Sequence, residues 1–336
     1  MKIFKILSLV IFPIIIYSNY IIWNSYMVQT SIISDFNSGT FRMDTYEKIK
    51  ILNTNFPSLS ATAYPMYGFL AKYHIAFKEY YNALEILNLS EDSNPYLRVK
   101  ESSKAIIFNN LGIRDSAYFY SKIAYDNLPN NSANYQQYLT ELVYRKEIDT
   151  IKKVFRESKS KDQNIYWQIF LASVINIKDE NDTEIDSIAK EALKLFKGNK
   201  KLKDLSSFIL YGQDNVIKSK TFFNEGMHEF ERLRFKIAAE KFYEASLLNP
   251  VEYVYYENAG MSLIKAEDYE AAIPFFKKVI DSELIINPAT GKSEYGLGVA
   301  FNELGKLDEA CKYFNKSFKF NYKPALREIS KYCGSK

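Results

Sequence analysis

Cysteine and histidine are nearly missing from this chain: two of each occur in 336 residues, Cys311, Cys333, His74 and His228. That excludes a Cys/His zinc cluster, which needs four closely spaced ligands. His228-Glu229 opens like a metalloprotease helix, but the second histidine would fall at Arg232. Neither histidine has a cysteine or serine partner in a nucleophile motif, so both read as ordinary helix-face residues. No metal, no other cofactor and no enzymatic activity are expected. Glycine and proline are also scarce, at 12 and 9, and a chain with few breakers and many helix formers favours an all-helical fold. Neither charge dominates. The 44 basic and 40 acidic residues leave a formal +4 with no basic run, so nucleic-acid binding has no electrostatic support.

Apolar and aromatic side chains are what the sequence has in quantity. It is 47% hydrophobic, with 27 Tyr and 24 Phe, and 25% charged. Such a chain folds around a real core, and its length suits two ordinary domains or one long repeat array.

Gly291-Lys292-Ser293, after the apolar Leu284-Ile285-Ile286, looks like the end of a phosphate-binding loop. The loop needs a glycine five residues earlier, where Ile286 stands, and Pro288 removes one of the backbone donors. The dinucleotide pattern fails too, because Gly296-x-Gly298 would need its third glycine at Phe301. No nucleotide is expected, and these glycines need another explanation.

The first residues carry Lys2 and Lys5 and then run apolar from Ile6 to Trp23. Eighteen helical residues span about 27 Å, close to a hydrocarbon core. A cleaved signal peptide would want small residues of the Ala-x-Ala type, and no alanine precedes Ala61. Residues 1–25 are therefore expected to form an uncleaved signal-anchor, with a cleaved signal peptide as the rival. Lysines ahead of the segment place the N-terminus in the cytoplasm and the bulk of the chain outside it.

Self-similarity is the strongest signal. One spacing separates Gly226 from Gly260, Phe235 from Tyr269, Ala238 from Ala272, and Phe242 from Phe276. Gly298 follows Gly260 at a slightly longer interval, with an insertion around Asn287-Pro288-Ala289-Thr290, and Ala310, Phe314 and Pro324 keep the order. Upstream the phase persists in worn form. Pro95 and Pro129 stand one such period apart, as do Ala83 and Ala117, and Ile148-x-x-Ile151-x-x-x-Phe155 keeps the spacing without the small residue.

"NELGKLDEACKYF" and "FKIAAEKFYEASLLNP" resemble the tetratricopeptide repeat, a helix–turn–helix of about 34 residues, which is the interval from Gly226 to Gly260. The resemblance implies an all-α solenoid of helical hairpins in a right-handed superhelix, behind the N-terminal transmembrane helix. Small residues let helices cross closely (Gly226, Gly260 and Gly298; Ala238, Ala272 and Ala310). Phe242, Phe276 and Phe314 fill the space between units, and proline ends a second helix. The expected divisions are 1–25 anchor, 26–60 a helical capping pair and 61–199 degenerate repeats. A Lys-rich junction at 200–218 follows, then three clear repeats over 219–324 and a capping helix over 325–336.

The same resemblance places Phe223, Met227 and Phe230, then Glu257, Met261 and Ile264, then Lys292, Tyr295, Val299 and Asn302 on the concave groove. The family's clamp for a terminal carboxylate is missing: Phe223 and Met227 replace its first Lys and Asn, Gly296 replaces its Arg, and only Lys292 matches. A groove rich in Met and aromatics suits an apolar helix or extended segment; the alternative is that some of these side chains only pack between helices. Cys311 lies in the last repeat and Cys333 in the cap, as in similar exported repeat proteins. They are either a disulfide or two buried thiols. The expected function is a membrane-tethered, non-catalytic scaffold that binds a protein or peptide outside the cytoplasm, at a bacterial inner membrane. The alternative is an accessory module of cell-envelope polysaccharide assembly or export.

Overall fold

A helical hairpin needs a turn that reverses the chain in a few residues, and here one turn geometry recurs. In the computed structural model, Lys78, Gly112 and Lys146 take left-handed backbone angles (φ 62°, 74° and 56°), each one repeat period after the last. Leu233, Glu267 and Gly305 do the same later in the chain, at φ 60°, 61° and 74°. At every one of the six, the left-handed residue's N–H donates three residues back and the next N–H donates five back, as in Gly112 to Asn109 and Ile113 to Phe108. These bonds satisfy carbonyls left open at the end of the preceding helix.

The structure describes residues 2–52, 54–89, 93–158, 162–179, 182–282, 285 and 290–334, with side chains from residue 11 onward. The loop insertion expected around Asn287–Ala289 lies outside the described residues. Among the described residues there are 18 α-helices and no strand; a lone bridge joins Leu59 to Pro65. The chain forms two units, Met1–Asp162 and Gln163–Lys336.

The first unit holds α1 (Lys2–Ser38), α2 (Met43–Lys50) and three hairpins. These are α3 (Met66–Ala76) with α4 (Tyr80–Leu89), α5 (Val99–Asn110) with α6 (Arg114–Asn127), and α7 (Ser132–Tyr144) with α8 (Ile148–Glu157). Ala83 and Ala117 are fully buried, one period apart, and Ile151 takes the next position, also buried. The second half of α1 packs through Val28 and Ile32 against Tyr46, Ile49, Leu70 and Tyr73. Two polar knots fix that corner. The buried carboxylate of Asp35 accepts from the Tyr73 hydroxyl (2.7 Å), from the Arg42 N–H (3.1 Å) and from the Arg42 guanidinium. Burial works to raise the Asp35 carboxyl, but these donors outweigh it and hold it below the usual carboxylate range. The Tyr46 hydroxyl donates to Glu79 (2.5 Å) and meets His74 Nδ1 (2.7 Å), and His74 Nδ1 lies 2.9 Å from the same Glu79 oxygen.

The first half of α1 is different. From Ile11 to Trp23 its large apolar side chains are mostly exposed. Among the described residues, no helix is long and apolar enough to cross a membrane. The expected transmembrane helix over 1–25 therefore lacks support in the fold. Part of it, residues 1–10, lies outside the described side chains, and beyond Trp23 the same helix turns polar with Asn24, Ser25, Gln29 and Asp35.

The second unit comprises α9 (Asn164–Val174), α10 (Thr183–Leu195) and α11 (Lys200–Tyr211), which pack together. Three hairpins follow: α12 (Gln213–Glu231) with α13 (Phe235–Leu248), α14 (Tyr253–Lys265) with α15 (Tyr269–Asp281), and α16 (Lys292–Glu303) with α17 (Leu307–Lys319). A short α18 (Pro324–Glu328) and a π turn (Ile329–Cys333) close the unit. Residues 200–218 form α11 and the start of α12, separated by Gly212 at φ 82°.

A repeated glycine–phenylalanine contact holds these hairpins. A Cβ at Gly226 would stand 2.7 Å from the Phe242 ring, and one at Gly260 would stand 2.7 Å from the Phe276 ring. Gly298 faces Phe314 more closely still. Each phenylalanine lies at the same offset from its glycine, on the second helix of the same hairpin, and each is buried. Phe276 also meets Gly296 of the following hairpin, so its ring sits between glycines of two successive first helices. Ala238, Ala272 and Ala310 are fully buried beside these rings.

Candidate binding surface

The positions expected on the groove lie on α12, α14 and α16, the first helices of the second unit's hairpins. Of these, Met227 is the most open, at 37% exposed. Phe223 and Phe230 are half-buried against Ala238, Phe242 and Ala259. The Phe223 ring centroid is 5.5 Å from that of Phe242 and 5.3 Å from that of Tyr255. Met261, Ile264, Tyr295 and Val299 are half-buried on the core of the last two hairpins. The Tyr295 ring lies tilted at 5.2 Å from that of Tyr322. Asn302 is half-buried and bonds Glu303.

Polar chemistry on this side is turned inward. Glu257 is 3% exposed, accepts from the Ser293 hydroxyl (2.7 Å) and lies 3.8 Å from Lys292 Nζ. Burial raises its carboxyl, and Ser293 and Lys292 only partly counter this. Glu294 is equally buried, with Lys316 Nζ at 3.5 Å from one oxygen and no hydrogen bond to the other. Gly291 takes φ 76° ahead of α16, and its carbonyl accepts from Ser317 (2.6 Å). Lys292 and Ser293 thus tie α16 to Glu257 of the preceding hairpin, and the Gly291 carbonyl ties the start of α16 to α17 within its own hairpin. Cys311 and Cys333 are joined by a disulfide with Cα atoms 5.6 Å apart, which fastens the terminal turn to α17. Among the described residues, no group of three or more His, Cys, Asp or Glu could hold a metal ion.

Two recesses fall where sequence reasoning placed no site. In the first unit, a cleft of about 280 Å³ opens between α5 and α7, the first helices of consecutive hairpins. Its wall carries Asn109, Asn110, Gln136, Gln137 and Thr140, and Glu141 lies at its floor. The only advance signal was the paired carboxamides, Asn109-Asn110 and Gln136-Gln137, on helices whose cores do not need them. In the second unit, a recess of about 520 Å³ lies between the second helices α13 and α15, lined by Tyr243, Leu247, Tyr256, Phe275 and Lys278.

The tetratricopeptide repeat model matches residues 253–283 and 295–324, which are α14–α15 and α16–α17. This chain therefore contains tetratricopeptide repeats. No curated protein matches it. Among solved structures it is similar to the TPR2AB domain of yeast Sti1 in its complex with pHSP90, at 14% identity and TM-score 0.31, over 71% of this chain and 97% of that one. It is similar to MamA at 18% identity and TM-score 0.26, over 66% and 96%. A tetratricopeptide repeat protein from Parabacteroides merdae is similar at 11% identity and TM-score 0.31, over 92% and 98%.

Proposed function

We propose that this chain, whose second unit carries tetratricopeptide repeats, is a non-catalytic scaffold that binds a protein or peptide partner. The observation that carries this reading is where the periodic residues are spent. The glycine–phenylalanine contacts and buried alanines hold hairpin to hairpin, which leaves the outer faces of the first helices as surface available to a partner. Function in such an array lies in that surface rather than in the fold.

We further propose that the scaffold is tethered to a bacterial inner membrane and displayed outside the cytoplasm. Two features support the tether and its side. The large apolar side chains from Ile11 to Trp23 are mostly exposed, and the flanking Lys2 and Lys5 favour a cytoplasmic N-terminus. The Cys311–Cys333 disulfide suits an oxidising compartment. Alkaline extraction of membranes should leave the full chain in the pellet and release a chain lacking residues 1–25. A reporter fused at the C-terminus should be active only outside the cytoplasm. A soluble full chain, or a cytoplasmic reporter, would contradict the tether.

The second reading, an accessory module of polysaccharide assembly, draws on the aromatic recess between α13 and α15, since ring faces suit sugar rings. Retention of envelope polysaccharide on the immobilised chain, lost on Tyr243→Ala, would favour it over the scaffold.

A further inference from the structure

We infer that the loop of residues 54–63 in the first unit rests in the lipid headgroup layer, so that the unit sits on the bilayer surface. This rests on the tether reading and adds a second, lipid-facing surface to it. The first observation is that α1 is one unbroken helix from Lys2 to Ser38. The apolar run that ends at Trp23 and the stretch packed into the first unit therefore share one axis, with no linker between them. Core packing begins at Ser25, which is fully buried, and continues through Val28, Gln29 and Ile32. Ser25 lies two residues after Trp23, about 3 Å along the axis. Headgroups extend about 5–8 Å beyond the hydrocarbon on each side. With the apolar run in the hydrocarbon, the chain that covers Ser25 stands at headgroup depth.

Hydrogen bonds identify the loop that lies there. Gln29 Nε2 donates to Ser25 Oγ (3.2 Å), and Gln29 Oε1 accepts from the Ala61 N–H (3.1 Å). The loop around Ala61 is closed on itself. The Ser60 N–H donates to the Tyr64 carbonyl, the Ala63 N–H to the Ser60 carbonyl and the Met66 N–H to the Ser58 carbonyl, each at 2.9 Å. Main-chain groups engaged in this way lower the cost of bringing the loop into the interface. Phe56 is 47% exposed, and Ala61, Thr62 and Ala63 are exposed with it.

Charge names the occupant. No Asp, Glu, Lys or Arg stands between Lys5 and Asp35, and none between Lys50 and Lys72, in a chain that is 25% charged. These two neutral stretches are the ones that Gln29 joins. A neutral surface enters the interface without stripping water from an ion. The first charged pair on α1, Asp35 with Arg42, stands twelve residues past Trp23, about 18 Å along the axis and beyond the headgroups. Exposed Tyr20, Trp23 and Tyr26 recur every third residue across the boundary, and amphipathic rings of this kind favour the membrane–water interface. A protein partner would not require charge to begin only past headgroup depth; a bilayer does.

The test uses the full chain in phosphatidylcholine–phosphatidylglycerol vesicles whose headgroups carry a nitroxide in both leaflets. A thiol-reactive dye is placed, one position at a time, at Thr62→Cys, at Asn24→Cys on α1 or at Lys153→Cys on α8. All three positions are exposed, and Cys311 and Cys333 are occupied by their disulfide. The dyes at 24 and 62 should lose most of their fluorescence to the nitroxide, and the dye at 153 should keep it. Quenching at 24 but not at 62, or equal quenching at 62 and 153, would overturn the loop contact and leave the tether intact. An unquenched dye at 24 would bring down the tether reading and this inference with it. In cells, a photo-reactive residue at position 62 should give lipid adducts, and a discrete protein adduct in their place would overturn the lipid assignment.

Discussion

Alanine at Gly260 should destabilise the second unit even though it favours the helix. Glycine to alanine in a helix interior is worth about 1 kcal/mol of propensity. Against that, the new Cβ would stand 2.7 Å from Phe276 Cζ and 2.9 Å from both Cε atoms. An aromatic ring can sometimes swing away, but Phe276 is fully buried and backs onto Gly296 of the next hairpin. Overpacking of a closed core costs about 1–3 kcal/mol; with the ring blocked on both sides, the upper half of that range applies. The net loss is about 1–2 kcal/mol, or about 2–8 °C in melting temperature for a unit of this size. Gly296→Ala should behave alike, because it meets the same ring. Phe276→Leu shortens the obstacle, so a double-mutant cycle with either alanine should show favourable coupling. Gly226→Ala contacts Phe242 instead and should show no coupling to Phe276→Leu. Urea unfolding of the full chain, followed by circular dichroism, reads all of these. A stabilised Gly260→Ala, or rescue of Gly226→Ala by Phe276→Leu, would refute the ring-between-glycines account.

Three other outcomes follow from the geometry. The Tyr46 hydroxyl, then His74 and Asn82, hold Glu79 down at about 2. A depressed carboxylate lends stability that is present above its unfolded value near 4.5 and lost as pH falls toward 2. Glu79→Gln should therefore flatten the stability profile of the first unit over that window, and an unchanged acid limb would count against the Tyr46–His74–Glu79 knot. Leu233 is exposed and left-handed at φ 60°, so Leu233→Gly should stabilise by about 1 kcal/mol; a loss in thermal melting would mean the turn is not strained. Cys311→Ser opens a bridge across a separation of 22 residues and should cost about 3 kcal/mol in the chain-entropy model. Hydrogen exchange should locate that loss in α17 and the terminal turn, and uniform exchange across the unit would argue otherwise.

The second unit was largely legible in the sequence because its contacts are local. Gly226, Gly260 and Gly298 and their phenylalanines recur with the repeat, and both partners lie in one hairpin. Gly296 against Phe276 was not legible, since that contact joins successive hairpins rather than the two helices of one. In the first unit the turns keep the period at Lys78, Gly112 and Lys146, but only one is glycine, so the conformation repeats where the letters do not. The groove assignments met a different obstacle. Helical side chains lean toward the N-terminus and cover the preceding turn, so fixed repeat positions such as Phe223 and Tyr295 came to rest half against neighbouring helices. Glu141 and the carboxamides around it lay in a part of the chain where the motif is worn, and only their placement on α5 and α7 brings them together.

The scaffold claim is tested most directly by a photo-reactive residue placed at Met227, on the exposed first-helix face of α12, in cells producing the chain. A matched probe at Lys277 samples the exposed second-helix face of α15. The account predicts a discrete protein adduct from position 227 and none from 277. Adducts from 277 alone, or none from either with the protein present at normal levels, would contradict it.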